Sequence, residues 1–250
     1  MAFPRYVHSV VNSSDDVAWP VEAQGENECG ITSASNALNL LVRAPRFRKD
    51  DFVRESGVFF QPRLGGTISP MTGWLIKRHG FGTHFGNLSR TDYEVVLRNL
   101  IDRGIPVIVE IDLDPLSVYG GHSIVLVGYS DPYPGSGGQT REEYYFVDAQ
   151  YPYLGSISLS SNDADVDGDG KVEVFPGNRT MSRKELRDHY PKKIYYPVFP
   201  TQADHDAWYQ QNVQPAPGIP VLGWMTGSLL TGSYDLWVGP QPQVALQPIA

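Results

Sequence analysis

The segment Gln24-Gly-Glu-Asn-Glu-Cys29-Gly-Ile-Thr-Ser-Ala-Ser-Asn-Ala-Leu38 contains the only cysteine of the chain. Apolar residues recur at helical spacing after this cysteine, and the pattern ends before Pro45. The segment therefore predicts a helix that begins at Cys29. A lone cysteine is either a small buried hydrophobe or a reactive group. A helix N-terminus favours the reactive form, because its unpaired N–H groups stabilise a thiolate.

The composition of the chain excludes several classes of partner. With 250 residues, of which 41% are hydrophobic, the chain can form one large or two small globular domains. A formal net charge of −8 argues against nucleic acid or an anionic membrane as the main partner, since both require a positive surface. No apolar run is long enough to span a membrane, and the N-terminal residues do not resemble a signal peptide. One cysteine does not identify the redox compartment.

The order of the predicted elements indicates an α+β fold. Helical patterns cover residues 29–44, 69–80 and 91–104, and two shorter capped helices are predicted at Ser182 and near Thr201. Strand patterns cover residues 106–112, 122–129, 143–148 and 193–199. Helices therefore dominate the first hundred residues and strands the next hundred, which favours α+β over alternating α/β.

His122 is the candidate base for the thiol. It begins an apolar strand directly after Gly120-Gly121, so the sheet fixes its ring while the glycines leave room for a close backbone approach. The next predicted strand ends in Asp148, and neighbouring antiparallel strands can place a histidine and a carboxylate side by side. The remaining histidines are interpreted as lying in polar or loop-like settings: His8, His79, His84, His189 and His205.

Taken together, these residues resemble the papain-like cysteine peptidases, in particular the bacterial branch related to the double-glycine leader peptidases of bacteriocin export. In that branch a Gln precedes a Cys-Gly that begins a long helix, a Gly-His heads a strand of the form HSIVLVGY, and an Asp closes the following strand. The resemblance covers roughly residues 19–151. It implies that Cys29 is the nucleophile, His122 the general base and then acid, and Asp148 the residue that orients the imidazole. It also implies an oxyanion hole made by the Gln24 side-chain amide and the Cys29 backbone N–H.

The implied activity is hydrolysis of a peptide or protein by a thiol enzyme that needs no organic cofactor. The same residue order also serves deamidation, transglutamination and acyl transfer, as in a toxin or effector, since all pass through an acyl-enzyme. A non-catalytic binding module on a papain-like scaffold is the alternative from another class. Cleavage specificity and oligomeric state stay open. Candidate substrate-binding positions are glycines whose backbone can pair with an extended peptide: Gly65, Gly66, Gly120 and Gly121.

A second motif, Asp163-Ala-Asp-Val-Asp-Gly-Asp-Gly-Lys-Val-Glu173, predicts a structural calcium loop. Counted from Asp165, it matches the first nine positions of an EF-hand-type loop, with glycine at the sharp bend. The twelfth position, which should supply a bidentate acid, is Pro176, so weak binding suited to extracellular calcium is expected. The alternative is a solvated acidic turn. The candidate ligands are Asp165, Asp167, Asp169, Lys171 and Glu173.

The predicted organisation is a papain-like catalytic domain over residues 1–212 and an extended arm over residues 213–250. Within the domain, the helical part covers about 19–104, the sheet about 105–200 and the calcium loop 163–174. The arm is rich in Pro and Gly and has one charged residue, Asp235, so it is expected to pack on the domain or on a partner. Localisation is left open: the calcium motif favours secretion or export, and the cytoplasm is the alternative.

Overall fold

The computed structural model describes residues 3–11, 22–61, 66–67, 69–88, 93–112, 121–135, 138–150, 163–164, 173–190 and 194–212. Its helices are α1 (Cys29–Val42), α2 (Lys49–Ser56), α3 (Ser69–Arg78), α4 (Tyr93–Asp102), α5 (Arg183–His189) and α6 (Gln202–Asn212). Its strands are β1 (Val7–Ser9), β2 (Phe60–Gln61), β3 (Gly66–Thr67), β4 (Gly86–Asn87), β5 (Val107–Asp112), β6 (Gly121–Ser130), β7 (Tyr133–Pro134), β8 (Thr140–Arg141), β9 (Glu143–Val147), β10 (Asp163–Ala164), β11 (Glu173–Val174), β12 (Arg179–Ser182) and β13 (Ile194–Pro197).

The described strands form one large antiparallel sheet and three small hairpins. The large sheet has the order β12-β9-β6-β5-β13-β4, and β1 pairs with the far end of β6. Val125 of β6 pairs with Val147 of β9, so His122 and Asp148 lie at the same end of this strand pair. The α+β class expected from the sequence is confirmed.

Helices cover both faces of the large sheet. On one face α1, α2 and α3 pack through a core that includes Ile31, Leu75 and Val125. On the other face α4, α5 and α6 pack through a second core that includes Leu97 and Trp208. Strands buried on both faces read as continuous apolar runs, which explains the sequences of β5 and β6.

The central helix α1 carries the cysteine to the end of the sheet. Ile31, Ala34 and Leu38 are completely buried, as their helical spacing predicts. The Ser33 hydroxyl donates a hydrogen bond of 2.7 Å to the Ser123 carbonyl, immediately after His122. This bond fixes the N-terminal half of α1 against the start of β6.

The sequence predicts most of the elements but misses one helix, one strand and the burial of two histidines. The capping box at Ser182 is present, and α3 and α4 lie within their predicted ranges. Helix α2 and strand β12 were not predicted. His84 lies in the loop before β4, as expected, and His205 lies in α6; both side chains are buried and contact each other, which the sequence does not indicate.

Several predicted features lie outside the described residues: Gly65, Gly120, Asp165, Asp167, Asp169, Lys171 and the arm over residues 213–250. The domain organisation therefore stays a prediction. In the described part, α6 buries Trp208 in the core and ends at Asn212. None of the helices in that part is long and apolar enough to span a membrane.

Candidate active site

The thiol of Cys29 and the imidazole of His122 meet where α1 begins and β6 begins. Cys29 is the first residue of α1 and is partly exposed. His122 is the second residue of β6 and is only 3% exposed. Each side chain shifts the pKa of the other, so the thiol and the imidazole lie close together. The structure therefore brings together two residues that are 93 positions apart (122 − 29) in the sequence.

The imidazole of His122 is held on its other side by Asp148. His122 Nε2 lies 2.8 Å from Asp148 Oδ1, and the carboxylate is only 1% exposed. This contact leaves Nδ1 as the ring nitrogen available to Cys29. A carboxylate on one nitrogen and a thiol on the other define the orientation of the ring.

The three side chains shift one another's pKa values in a consistent way. Burial raises the pKa of the Cys29 thiol, but the hydrogen bond and charge of His122 outweigh it, and the net pKa is lowered. Burial lowers the pKa of His122, yet the hydrogen bonds with Asp148 and Cys29 raise it to about 9. Burial raises the pKa of Asp148, while His122 and Arg179 lower it to about 2. The lowered pKa of the thiol and the raised pKa of the imidazole both favour transfer of the Cys29 proton to His122, and Asp148 is ionised near neutral pH.

Asp148 is fixed in place by the turn that follows β11. The Asp148 N–H donates to Asn178 Oδ1 at 2.7 Å, and Asn178 Nδ2 donates to the Asp148 carbonyl at 2.9 Å. Gly177 has φ of 79°, and a Cβ there would lie 2.2 Å from the Phe146 carbonyl oxygen. Glycine is therefore required at this position, because the turn passes too close to β9 for any side chain.

The second oxygen of the Asp148 carboxylate accepts a hydrogen bond from Arg179 Nη1, and the two groups form an ion pair. The Arg179 side chain is 1% exposed, so this pair is completely buried. Both oxygens of Asp148 therefore have charged partners. The sequence gives little sign of this contact.

Gln24 lies at the same end of the sheet as Cys29, His122 and Asp148. Its N–H donates to the Ala149 carbonyl at 3.1 Å, and its Nε2 donates to Gln150 Oε1 at 3.3 Å. The second hydrogen on Nε2 can serve another acceptor. The backbone contact to Ala149 places Gln24 directly beside the residue that follows Asp148.

Glu28 and Lys49 hold the loop between Gln24 and Cys29. Glu28 Oε2 accepts a hydrogen bond of 2.5 Å from the Gly25 N–H and one of 2.6 Å from Lys49 Nζ. A Cβ at Gly25 would lie 2.7 Å from Glu28 Oε2, so a larger residue there would displace this carboxylate. The acidic residue before α1 thus closes the loop and pairs with α2, and it makes no side-chain cap on α1.

Two of the predicted substrate-binding glycines are described. Gly121 is exposed at the start of β6, and a Cβ at this position would meet nothing within 4 Å. Gly66 lies in β3, which contacts α1. Open space beside Gly121 is compatible with a substrate backbone next to His122, but the binding role of these glycines stays a prediction.

No group of three or more metal-binding side chains lies within the residues that the structure describes. The predicted calcium ligands fall mostly outside them. The segments that flank the loop pair with each other, Asp163 with Val174 and Ala164 with Glu173. The two ends of the predicted loop are therefore adjacent.

Comparison with known proteins identifies the family. The model of the Peptidase_C39-like family matches residues 14–156, which is more than half of the chain. The chain belongs to this family and is a cysteine peptidase, which confirms the resemblance noted in the sequence. Its substrate is accordingly a peptide or protein.

One solved structure that resembles this chain is the peptidase domain of Streptococcus ComA, a bifunctional ABC transporter involved in a quorum-sensing pathway. The match has a TM-score of 0.45 and 14% sequence identity, and it covers 72% of this chain and 97% of the ComA chain. No curated protein matches the sequence.

Sequence reasoning missed Asn178, Arg179, Gln150 and Lys49 as parts of the site. The only local signal is Pro176-Gly177-Asn178, a turn sequence whose Asn can bond nearby backbone. An isolated Arg at the start of a short strand is uninformative until the neighbouring acid is known. Lys49 belongs to α2, which itself was not predicted.

Proposed function

We propose that the chain hydrolyses peptide bonds through a Cys29-His122-Asp148 triad and an acyl-enzyme intermediate. The observation that carries this proposal is the buried 2.8 Å contact between His122 Nε2 and Asp148 Oδ1, with the Cys29 thiol close enough to the same imidazole for each to shift the pKa of the other. A nucleophile, a base and a residue that orients the base are the groups that acyl transfer requires.

In the first half of the reaction, the Cys29 thiolate attacks the carbonyl carbon of the scissile bond. The developing oxyanion accepts hydrogen bonds from the Cys29 backbone N–H and the Gln24 side-chain amide. Collapse of this intermediate breaks the C–N bond, and the imidazolium of His122 gives its proton to the leaving amine. The products of this half are a free amine and a thioester at Cys29.

In the second half, neutral His122 takes a proton from water as the water oxygen attacks the thioester carbon. Collapse of the second tetrahedral intermediate expels the Cys29 thiolate and releases the carboxylic acid. His122 keeps the proton, which regenerates the thiolate and imidazolium pair. Asp148 stays ionised throughout and stabilises the imidazolium.

A peptide library tests this proposal. The protein is incubated with peptides from a digest made by another protease, and new N-termini are counted by mass spectrometry. We expect cleavage by the parent protein, and none by Cys29→Ala or by protein pretreated with iodoacetamide. Glutamine deamidation without new N-termini would instead support the acyltransfer alternative. Slow alkylation of Cys29 near neutral pH with no turnover would contradict an enzymatic role.

We further propose that Asp165, Asp167, Asp169, Lys171 and Glu173 hold a structural calcium ion. The support is the alternation of carboxylates in the sequence and the pairing of β10 with β11, which brings the ends of the loop together. The ion is proposed to stabilise the fold and to take no part in the reaction.

A further inference from the structure

We infer that Arg179 is a positioning residue that extends the proposed triad to four side chains. This inference rests on the proposed function, because Arg179 acts on Cys29 only through Asp148 and His122. The geometry consists of a row of contacts: Cys29 to His122, His122 Nε2 to Asp148 Oδ1, and Asp148 Oδ2 to Arg179 Nη1.

The position of Arg179 follows from the sheet. It is the first residue of β12 and pairs with Phe146 of β9, two residues before Asp148. The turn at Gly177 brings β12 back along β9 so closely that Asn178 and Arg179 both reach Asp148. Asn178 binds the backbone of Asp148, whereas Arg179 binds the side chain.

Arg179 is poorly placed as a device for stability alone. Its side chain is 1% exposed, and its Nε and Nη2 atoms have no hydrogen-bond partner among the described residues. A buried guanidinium with unpaired N–H groups is unfavourable, and a well-packed apolar residue would usually be as stable or more stable. The feature that an apolar residue cannot reproduce is the positive charge beside Asp148.

The first consequence of this contact is geometric. Asp148 Oδ1 accepts hydrogen bonds from the His122 ring and from the Gln150 N–H at 2.9 Å, while Oδ2 accepts from Arg179. With both oxygens occupied, the carboxylate cannot rotate away from the imidazole. Arg179 therefore keeps the His122 ring directed at Cys29.

The second consequence is electrostatic. In the active form the row of charges alternates: thiolate, imidazolium, carboxylate and guanidinium, with a sum of zero. The other charged group that acts on Arg179 is Glu185 of α5, and its carboxylate is engaged by the Ser182 N–H. Without Arg179 the site carries a net negative charge. Each of its three titrating groups then holds a proton more tightly, so every pKa in the row rises.

The test is the pH dependence of Cys29 alkylation by iodoacetamide, with the kcat/KM profile on a cleaved library peptide as the second readout. Cys29 is the only cysteine, so the alkylation rate reports its thiolate directly. Arg179→Gln removes the charge and should move both limbs of the activity profile, and the alkylation midpoint, upward by about one pH unit. We also expect kcat to fall by about tenfold or more because the carboxylate loses one partner.

Two further variants separate charge from structure. Arg179→Lys keeps the charge, so its midpoints should stay near those of the parent while kcat still falls, and this variant tests the inference even if Arg179→Gln does not fold. Arg98→Gln is the matched control, since Arg98 also pairs with a carboxylate beside β9, Glu142 at 2.9 Å, away from the triad. It should lower stability without moving either midpoint.

The outcomes distinguish the two proposals. If Arg179→Gln lowers the melting temperature but leaves the midpoints of the alkylation and activity profiles unchanged, Arg179 has a purely structural role and the inference is overturned. The triad would still stand in that case, provided that the Cys29 thiol of the parent protein has a low alkylation midpoint. A parent thiol that titrates like a free cysteine would overturn the triad, and the role of Arg179 with it.

Discussion

The described part of the protein contains three buried histidines, and the surroundings of two of them, His122 and His84, make one ring cationic and keep the other neutral. His122 is 3% exposed and His84 is 5% exposed, so burial does not distinguish them. His122 lies between a thiol and a carboxylate, and its pKa is raised to about 9. The pKa of His84 is lowered well below its ordinary value by burial and by the charges of His205 and Lys77.

The hydrogen-bond partners of His84 come from the last third of the chain. Its Nδ1 lies 2.9 Å from His205 Nε2, and its Nε2 lies 2.8 Å from the Tyr195 hydroxyl. His205 Nδ1 in turn lies 2.8 Å from Asp206 Oδ1. This carboxylate is 54% exposed and contacts His205 rather than His84 itself. The His84 network thus attaches α6 to β13 and needs no charged ring.

The comparison shows that a carboxylate in direct contact, itself held by an arginine, decides whether a buried imidazole is charged. Desolvation disfavours the charged ring at both sites. Only at His122 does a buried anion, the Asp148 carboxylate, offset this cost of desolvation. We therefore expect the first network to serve reactivity and the second to serve stability.

The largest expected effect is on activity. Cys29→Ala and His122→Ala should each reduce kcat/KM by at least about 1,000-fold, and the double variant should be no worse than either, since the two groups act as a unit. Cys29→Ala should leave the melting temperature nearly unchanged. The matched control His84→Gln should keep its activity while losing stability. A double variant whose loss equals the product of the single losses would contradict the triad.

A smaller loss of activity is expected when a contact that holds the loop between Gln24 and Cys29 is removed. Gln24→Ala should lower kcat by about 100-fold if its amide binds the oxyanion. Lys49→Met, which removes the 2.6 Å contact to Glu28, should lower kcat by about tenfold with little change in KM, because it loosens the loop without touching substrate. Lys184→Met is the control, since Lys184 forms an exposed pair with Asp188 at 2.7 Å. Equal kinetics for both lysine variants would exclude a role for the loop contact.

The two histidines should also change stability in opposite directions with pH. The lowered folded pKa of His84 means that the wild type loses stability as pH falls below about 6.5, the pKa of an unfolded histidine. The destabilisation caused by His84→Gln, measured by urea unfolding, should therefore shrink between pH 7 and pH 5. A penalty that is constant over this range would mean that His84 titrates normally.

The corresponding contribution of His122 has the opposite sign. Its raised pKa provides stability that is fully present below about 6.5 and is lost as pH rises toward about 9. The thiol titrates in the reverse sense and masks this effect, so the comparison is made between Cys29→Ala and Cys29→Ala/His122→Gln. The difference in unfolding free energy should decrease from pH 6 to pH 9.5 by on the order of 2 kcal/mol. An increase over that range would contradict the account.

The smallest effect concerns the calcium loop, which should be independent of both histidine networks. Calcium at roughly millimolar concentration should raise the melting temperature by a few degrees, because it binds only the folded state. Asp167→Ala should abolish the shift without changing Cys29 alkylation. Identical melting curves in calcium and in chelator would identify the loop as an acidic turn.

The three residues of the proposed triad could be chosen from the sequence because each stands beside a local signal. Cys29 begins an amphipathic pattern, His122 follows two glycines at the start of an apolar run, and Asp148 ends the next run. His122 begins one strand and Asp148 ends the next, so the two residues lie at the same end if these strands pair in antiparallel fashion. Their mutual contact required only that β6 and β9 be neighbours.

Arg179 and His84 could not be found in this way, because their surroundings depend on contacts between distant segments. Arg179 reaches Asp148 through the register of β12 on β9, which follows from the turn at Gly177. His84 is buried by His205, 121 residues later in the chain. Nothing near either residue in the sequence shows which group will face it.

Helix α2 was missed for a different reason. It has eight residues, and only Phe52 and Ser56 on it are buried, so its apolar pattern is too short to recognise. Its importance for the site comes from Lys49, whose partner Glu28 is the residue before Cys29.

The most direct test of the central claim is an NMR titration of the imidazole rings in the intact protein, with His122→Gln and His84→Gln used to assign the two signals. The account predicts that His122 is an imidazolium at neutral pH and loses its proton with a midpoint near 9, while His84 stays neutral below pH 6. Alkylation of Cys29 should lower the His122 midpoint and leave His84 unchanged. A His122 midpoint at or below about 6.5, the value for an ordinary histidine, would contradict the thiolate and imidazolium pair on which the proposed mechanism depends.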